Sequence, residues 1–180
     1  MKVFVFLADG FEEIEAIVPI DIFRRAEIDV TTVSISDTKE VNGAHGIKIL
    51  ADKLFSETDF STNDLLYLPG GMPGATNLDA HEGLKALLMV QATEKKPIAA
   101  ICAAPLVLGK LNLLQGHEAI CYPGFEANLL GAKLSENKIV TSGLISTAKG
   151  AGVALEFALK IVADLKGKAV SDKLANAICY

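Results

Sequence analysis

Short apolar runs bounded by turn residues alternate along this chain with longer stretches whose apolar residues recur at helical spacing. Lys2 to Leu7, Asp64 to Leu68 and the first half of Lys96 to Leu108 are apolar enough to predict strands buried on both faces. Asp29 to Ser36 alternates and is rich in β-branched residues, which predicts a second strand. Val41 to Leu50 predicts a hairpin-like excursion. Gly116 to Tyr122 reads as a turn and strand broken by Pro123-Gly124, and Asn137 to Thr141 with Leu144 to Thr147 as two short strands about Ser142-Gly143.

Helices are predicted from Phe11 to about Ala26, from Gly83 to Thr93, from the second half of Lys96 to Leu108 onward to Leu111 to Leu114, from Val153 to Leu165, and from Val170 to Ala177. In the first helix Ile14, Ile17, Val18 and Phe23 are expected to face the core, and Glu12, Asp21, Arg24 and Arg25 the solvent. Pro19 is expected to kink or tighten it. Buried strands alternating with helices predict an α/β fold, a mostly parallel sheet with helices on both faces. The chain's 180 residues fit one domain, 1–180.

Composition narrows the compartment and the partners. Half of the residues are hydrophobic, 51%, yet no run approaches the ~20 apolar residues a membrane span needs. The apolar opening is short and is followed at once by Asp9-Gly10 and acidic residues, so neither a leader nor an anchor is expected and the protein is expected in the cytoplasm. With 17 basic residues scattered among 22 acidic ones, the net charge of -5 leaves no footprint for nucleic acid. Cys102, Cys121 and Cys179 form no CxxC pair and are odd in number, against both a disulfide framework and a structural zinc site. No metal or organic cofactor is expected.

Candidate chemistry centres on Cys102, at the turn between a buried strand and a helix that Pro105 opens. Such an elbow lifts the side chain off the sheet toward helix N–H groups that favour a thiolate. A buried structural cysteine is the alternative reading of that segment. Glu15 lies beside apolar Ile14 and Ile17 at the mouth of a strand-to-helix loop, where open α/β sheets place ligands, although a first-turn charge is the simpler reading. Pro69-Gly70-Gly71 lacks the ending of a phosphate loop. If it lies next to Cys102, the Gly71 and Ala103 N–H groups form an oxyanion hole. His45, between glycines and without an acidic or sulfur neighbour at ligand spacing, reads as a surface residue rather than a metal ligand. Gly150-x-Gly152 lacks the third glycine of a dinucleotide site.

Taken together, Asp9 to Glu15, Val18 to Ala26, Leu68-Pro69-Gly70-Gly71, Ala99 to Pro105 and Lys149 to Gly152 resemble the ThiJ/PfpI superfamily, in the branch of the parkinsonism-associated protein deglycase and its bacterial relatives. The resemblance covers nearly the whole chain. It implies a flavodoxin-like three-layer sandwich, a homodimer built partly through the first helix, and a reactive Cys102 paired with a protonated Glu15. It further implies that the Gly71 and Ala103 amides face the substrate oxygen. Arg25 and His45 are implied to line an anion-friendly dimer cleft, with His45 where a relative has arginine, and Gly70 and Tyr122 to join them in binding substrate. Where many relatives carry a histidine, this chain has Ala103 and Tyr122.

The implied activity is cysteine-dependent defence against reactive dicarbonyls, of glyoxalase or protein deglycase type, on methylglyoxal or its adducts. A redox-responsive stress or chaperone-like protein using oxidation of Cys102 is the alternative. Peptidase and amidotransferase chemistry fit less well, because both need an imidazole to take and return a proton.

Overall fold

The computed structural model describes residues 1–180. Its main sheet has seven strands: β1 (Lys2–Leu7), β2 (Asp29–Ser34), β5 (Lys53–Leu54), β6 (Leu65–Leu68), β7 (Ile98–Ile101), β10 (Ile139–Ser142) and β11 (Ile145–Ala148). Their order is β10-β11-β7-β6-β1-β2-β5, and every pairing is parallel except β10 with β11. The five-strand centre, β2-β1-β6-β7-β11, is the flavodoxin-like order. Two small pairs stand outside it, β3 (Glu40–Asn42) with β4 (Lys48–Leu50) and β8 (Glu118–Ala119) with β9 (Lys133–Leu134).

Successive side chains of β1 are buried in opposite layers. Val3, Val5 and Leu7 enter one apolar layer with α1 (Glu13–Arg25), α5 (Ala154–Lys166) and α6 (Lys168–Ala177). Phe4 and Phe6 enter the opposite layer with α2 (Gly74–Ala80), α3 (Glu82–Thr93) and α4 (Pro105–Lys110). Phe157 on α5 is wholly buried, its ring 6.1 Å from that of Tyr67. Phe157→Ala is therefore expected to lower the unfolding free energy by about 3–5 kcal/mol, measured by urea denaturation.

The strand and hairpin predictions hold within a few residues, but two elements were not anticipated. The Gly-rich stretch after β6, which reads as a turn, carries α2, and the edge strand β5 lies where the sequence pattern predicts no element. The first helix also turns a different face inward. Ala16, Pro19, Ile20, Ile22 and Phe23 are buried, whereas Ile14 and Ile17 are exposed. The reason is that Glu13 and Glu15 occupy the inward positions of the first turn, each held by groups contributed by other loops. No helix is long and apolar enough to cross a membrane.

Candidate active site

The chain leaves β1 for β2 on one side and then reaches β6 on the other, so the crevice at their carboxyl ends is a topological switch point. Three loops meet there. Glu12 N–H donates to the Gly70 carbonyl at 2.9 Å, tying the turn after β1 to the turn after β6. Gly70 N–H donates to Glu15 Oε2 at 2.9 Å, and the buried Tyr67 hydroxyl donates to the Glu15 carbonyl at 3.0 Å. Glu15 is wholly buried, and its Oε1 has no hydrogen-bond partner within the chain.

Cys102 directly follows β7 and has φ +65°, a left-handed conformation that costs a non-glycine residue about 1–3 kcal/mol. Neighbouring backbone holds it in place. Cys102 N–H donates to the Ala148 carbonyl at 2.9 Å, and its own carbonyl accepts Tyr122 N–H at 2.7 Å. A β-carbon placed on Gly70 would lie 2.6 Å from both the Cys102 β-carbon and Glu15 Oε2. Glycine is thus what lets the two side chains approach across this backbone.

Burial pushes the Glu15 carboxyl up to about 7, against the contact with the Cys102 thiol and the Gly70 N–H, which favour its charged form. Cys102 is pushed up to about 12, first by burial and then by the Glu15 charge, while the Gly71 and Ala103 N–H groups pull the other way. Burial thus favours the neutral form of Glu15 that the resemblance implies, and works against a resting thiolate at Cys102. α4 is one and a half turns long and begins three residues beyond Cys102, so its dipole does not outweigh desolvation. The two groups perturb each other and titrate as a coupled pair, so that near neutral pH they share one proton and one negative charge.

The Gly71 and Ala103 amides both bear on the Cys102 sulfur. Gly70 instead serves Glu15, through its N–H. Tyr122 is half exposed, with its ring 3.3 Å from where a Gly150 β-carbon would be. Arg25 does not line this crevice within one chain. It lies ten residues beyond Glu15 on α1, about 15 Å along the helix, and pairs with Asp21 at 2.7 Å.

His45 is exposed and, contrary to its sequence neighbourhood, has acidic neighbours in space. Its Nδ1 lies 2.9 Å from Glu13 Oε2 and 3.4 Å from Glu12 Oε2, and its N–H donates to Glu13 Oε1 at 2.7 Å. The Glu13 hydrogen bond and the two acidic charges raise its pKa. The β3–β4 excursion folds back onto the start of α1, which sequence spacing does not reveal. The other histidines are engaged elsewhere: His81 Nδ1 accepts Leu84 N–H at 2.9 Å, and His117 Nδ1 pairs with Ser142 Oγ at 3.1 Å.

A nucleophile elbow, a buried carboxyl from the first helix and two converging amides are arranged on a flavodoxin-like sheet. Residues 1–164 match the DJ-1/PfpI family. The chain belongs to that family. Protein DJ-1 homolog B of Arabidopsis thaliana is 40% identical over 93% of this chain, but over only 39% of its own length. The chain thus spans about two fifths of that relative. Protein dj-1beta of Drosophila melanogaster is 34% identical over 97% of this chain and 94% of that protein. Glutathione-independent glyoxalase DJR-1.2 of Caenorhabditis elegans is 33% identical over 93% of this chain and 90% of that protein. Among solved structures, Toxoplasma gondii DJ-1 in an oxidized form superposes with a TM-score of 0.95, at 39% identity over 99% of this chain and 98% of that one.

Missed by sequence reasoning were the roles of Tyr67 and Gly150. From sequence Tyr67 reads as one more apolar strand residue, and Gly150 as part of an incomplete nucleotide motif and of a helix start that carries the family resemblance, with no contact to Glu15 implied.

Proposed function

We propose that this protein is a glyoxalase that uses Cys102 as nucleophile and Glu15 as proton carrier, converting methylglyoxal and water to lactate and glyoxal to glycolate. The observation that supports it most is the contact of the buried Glu15 carboxyl with Cys102 beneath the Gly71 and Ala103 amides. A carboxylate whose pKa lies near 7 is suited to take a proton at neutral pH and give it back.

The Cys102 sulfur bonds to the aldehyde carbon as Glu15 accepts the thiol proton, and the carbonyl oxygen takes that proton to give a hemithioacetal. Glu15 then removes the C–H proton from this carbon, and the adjacent ketone carbon is protonated through an enediol. A lactoyl thioester results. Water, deprotonated by Glu15, attacks the thioester; the carbon–sulfur bond breaks, lactate leaves and the thiol is restored. One carbon is oxidised by as much as its neighbour is reduced, so the sum needs no external oxidant. The Gly71 and Ala103 amides stabilise the oxyanion at each addition. Adducts of the same dicarbonyls with thiols or amines present the same carbon, which extends the reading to deglycation.

A second copy fits the exposed Ile14 and Ile17 of α1, and we take the working unit to be a homodimer. The alternative reading, redox sensing through Cys102, draws support from the oxidized form of the Toxoplasma gondii relative. It is the weaker reading, because oxidation selects a standing thiolate and burial holds this thiol protonated. A relative at 34% identity is named putative cysteine protease YraA of Bacillus subtilis. Peptidase chemistry is less supported here, since both His81 and His117 are bonded away from Cys102 and His45 to Glu13.

The test is lactate formation from methylglyoxal by purified protein without glutathione, followed by proton NMR; no lactate above the buffer control overturns the reading. The oxyanion hole has its own expectation. A β-carbon on Gly71, at φ +90°, would lie 2.5 Å from the Gly10 carbonyl oxygen, so Gly71→Ala must displace the amide. Turnover is expected to fall about 10²-fold, as for loss of one oxyanion donor, read in the same assay.

A further inference from the structure

A cleft of about 440 Å³ that the proposed reaction does not use opens on the far side of Gly150 from Glu15, lined by neither Glu15 nor Cys102 but by Tyr122, whose N–H is bonded to the Cys102 carbonyl. Pockets of ~300–1,000 Å³ hold drug-sized ligands, so methylglyoxal leaves most of this space empty. Tyr122 and Gly150 both line it. Gly150 joins the cleft to the reacting groups: the point its β-carbon would occupy is 3.3 Å from the Tyr122 ring and 3.9 Å from Glu15 Oε1. That oxygen is the buried carboxyl atom without a partner. Its lining also includes Lys138 and Lys149, and no aspartate or glutamate lines the cleft, although the chain's net charge is -5. Neither lysine makes an ion pair, whereas many lysines of this chain do. Their backbones are tied, Lys149 N–H donating to the Lys138 carbonyl at 2.9 Å, which keeps the two side chains on one rim.

We propose that Lys138 and Lys149 form an anion subsite that holds a terminal carboxylate of the substrate, while its 2-oxoaldehyde end lies over Cys102. This rests on the glyoxalase reading for the reaction, but the subsite itself does not. The preferred substrate class is then a 2-oxoaldehyde with a carboxylate at the far end of a short carbon chain, and the product is a 2-hydroxy dicarboxylate. Tyr122 fits this role, since an aromatic wall guides the chain's methylenes where an imidazole would present a polar edge. Two unpaired cations at a cleft draw in anions by their summed field, an effect that salt screens.

Two measurements test it. In the first, Cys102 is alkylated by iodoacetate or by iodoacetamide, reagents of nearly equal size of which the first is an anion; in each, sulfur displaces iodide. Peptide mass spectrometry gives the rate ratio at Cys102, and exposed Cys179 in the same molecule supplies the reference ratio. The iodoacetate-to-iodoacetamide ratio at Cys102 is expected to exceed that at Cys179 by about fivefold at low salt. It should fall to the Cys179 value in Lys138→Gln/Lys149→Gln and return in Lys138→Arg/Lys149→Arg. Equal ratios at the two cysteines, a ratio unchanged by the double glutamine variant, or no alkylation of Cys102 by either reagent overturns the subsite.

In the second, kcat/KM for 4,5-dioxopentanoate is divided by that for neutral 2-oxopentanal. A quotient near ten that drops toward one in the double glutamine variant supports the substrate class, and a quotient of one in the wild type overturns it. If neither compound is turned over while the alkylation preference stands, the glyoxalase reading fails and the anion subsite survives.

Discussion

Cys102→Ser is expected to reduce lactate formation from methylglyoxal by about 10³-fold or more, because removing a nucleophile removes the covalent route and leaves only binding and the oxyanion hole. A serine hydroxyl is a far weaker acid than a thiol, and a carboxylate titrating near 7 cannot draw its proton off as sulfur attack requires. The substitution changes one atom at a site whose backbone is fixed by Ala148 and Tyr122, so the melting temperature should move by only a few degrees. That pairing of a lost rate with a kept fold is the informative result. Lactate formed at more than a tenth of the wild-type rate by the folded variant would place the chemistry somewhere other than this sulfur.

Glu15→Gln separates proton transfer from nucleophilicity, and it acts on stability with the opposite sign. The wild-type rate should rise with pH through about 7, as Glu15 becomes the carboxylate that accepts the thiol proton, and then level off. In Glu15→Gln the rise near 7 should vanish and the plateau fall by about 10²–10⁴-fold, the range of general acid–base catalysis. The linkage argument predicts the other half. Folding raises the Glu15 pKa from 4.5 to about 7, so the folded state binds the extra proton and stability falls as pH climbs through that window. Below pH 4.5 the carboxyl is neutral in both states and costs nothing. Above 7 its buried charge opposes folding by on the order of 3 kcal/mol. The amide carries no such charge, so Glu15→Gln should be more stable than wild type at pH 8 and nearly equal to it at pH 4, as measured by thermal denaturation. A variant less stable at pH 8 would mean that the carboxylate is held by more than the Gly70 amide.

Much of this was legible in the chain because it is local. An uninterrupted apolar run such as Lys2 to Leu7 can be satisfied only by burial on both faces, and a run ending at Cys102 before Pro105 can only turn into a helix. The glycines of Pro69-Gly70-Gly71 announced a backbone that something must approach closely. The first helix shows where such reasoning stops. By pattern, Ile14 and Ile17 belong inside and the flanking carboxylates outside, yet Gly70, His45 and Ile47 supply amide donors that draw Glu15 and Glu13 inward.

The order of residues determined the alternation of strands and helices, the position of the sulfur at an elbow and the want of an imidazole beside it. Tertiary structure alone decided that Glu15 is dry, that burial pushes the proton affinity of its neighbour up against the pull of the local amides, and that two lysines line the cleft beyond Gly150. The division has a physical cause: hydrophobic periodicity is written in near neighbours, whereas proton affinity and local field depend on the water that distant segments exclude when they pack together.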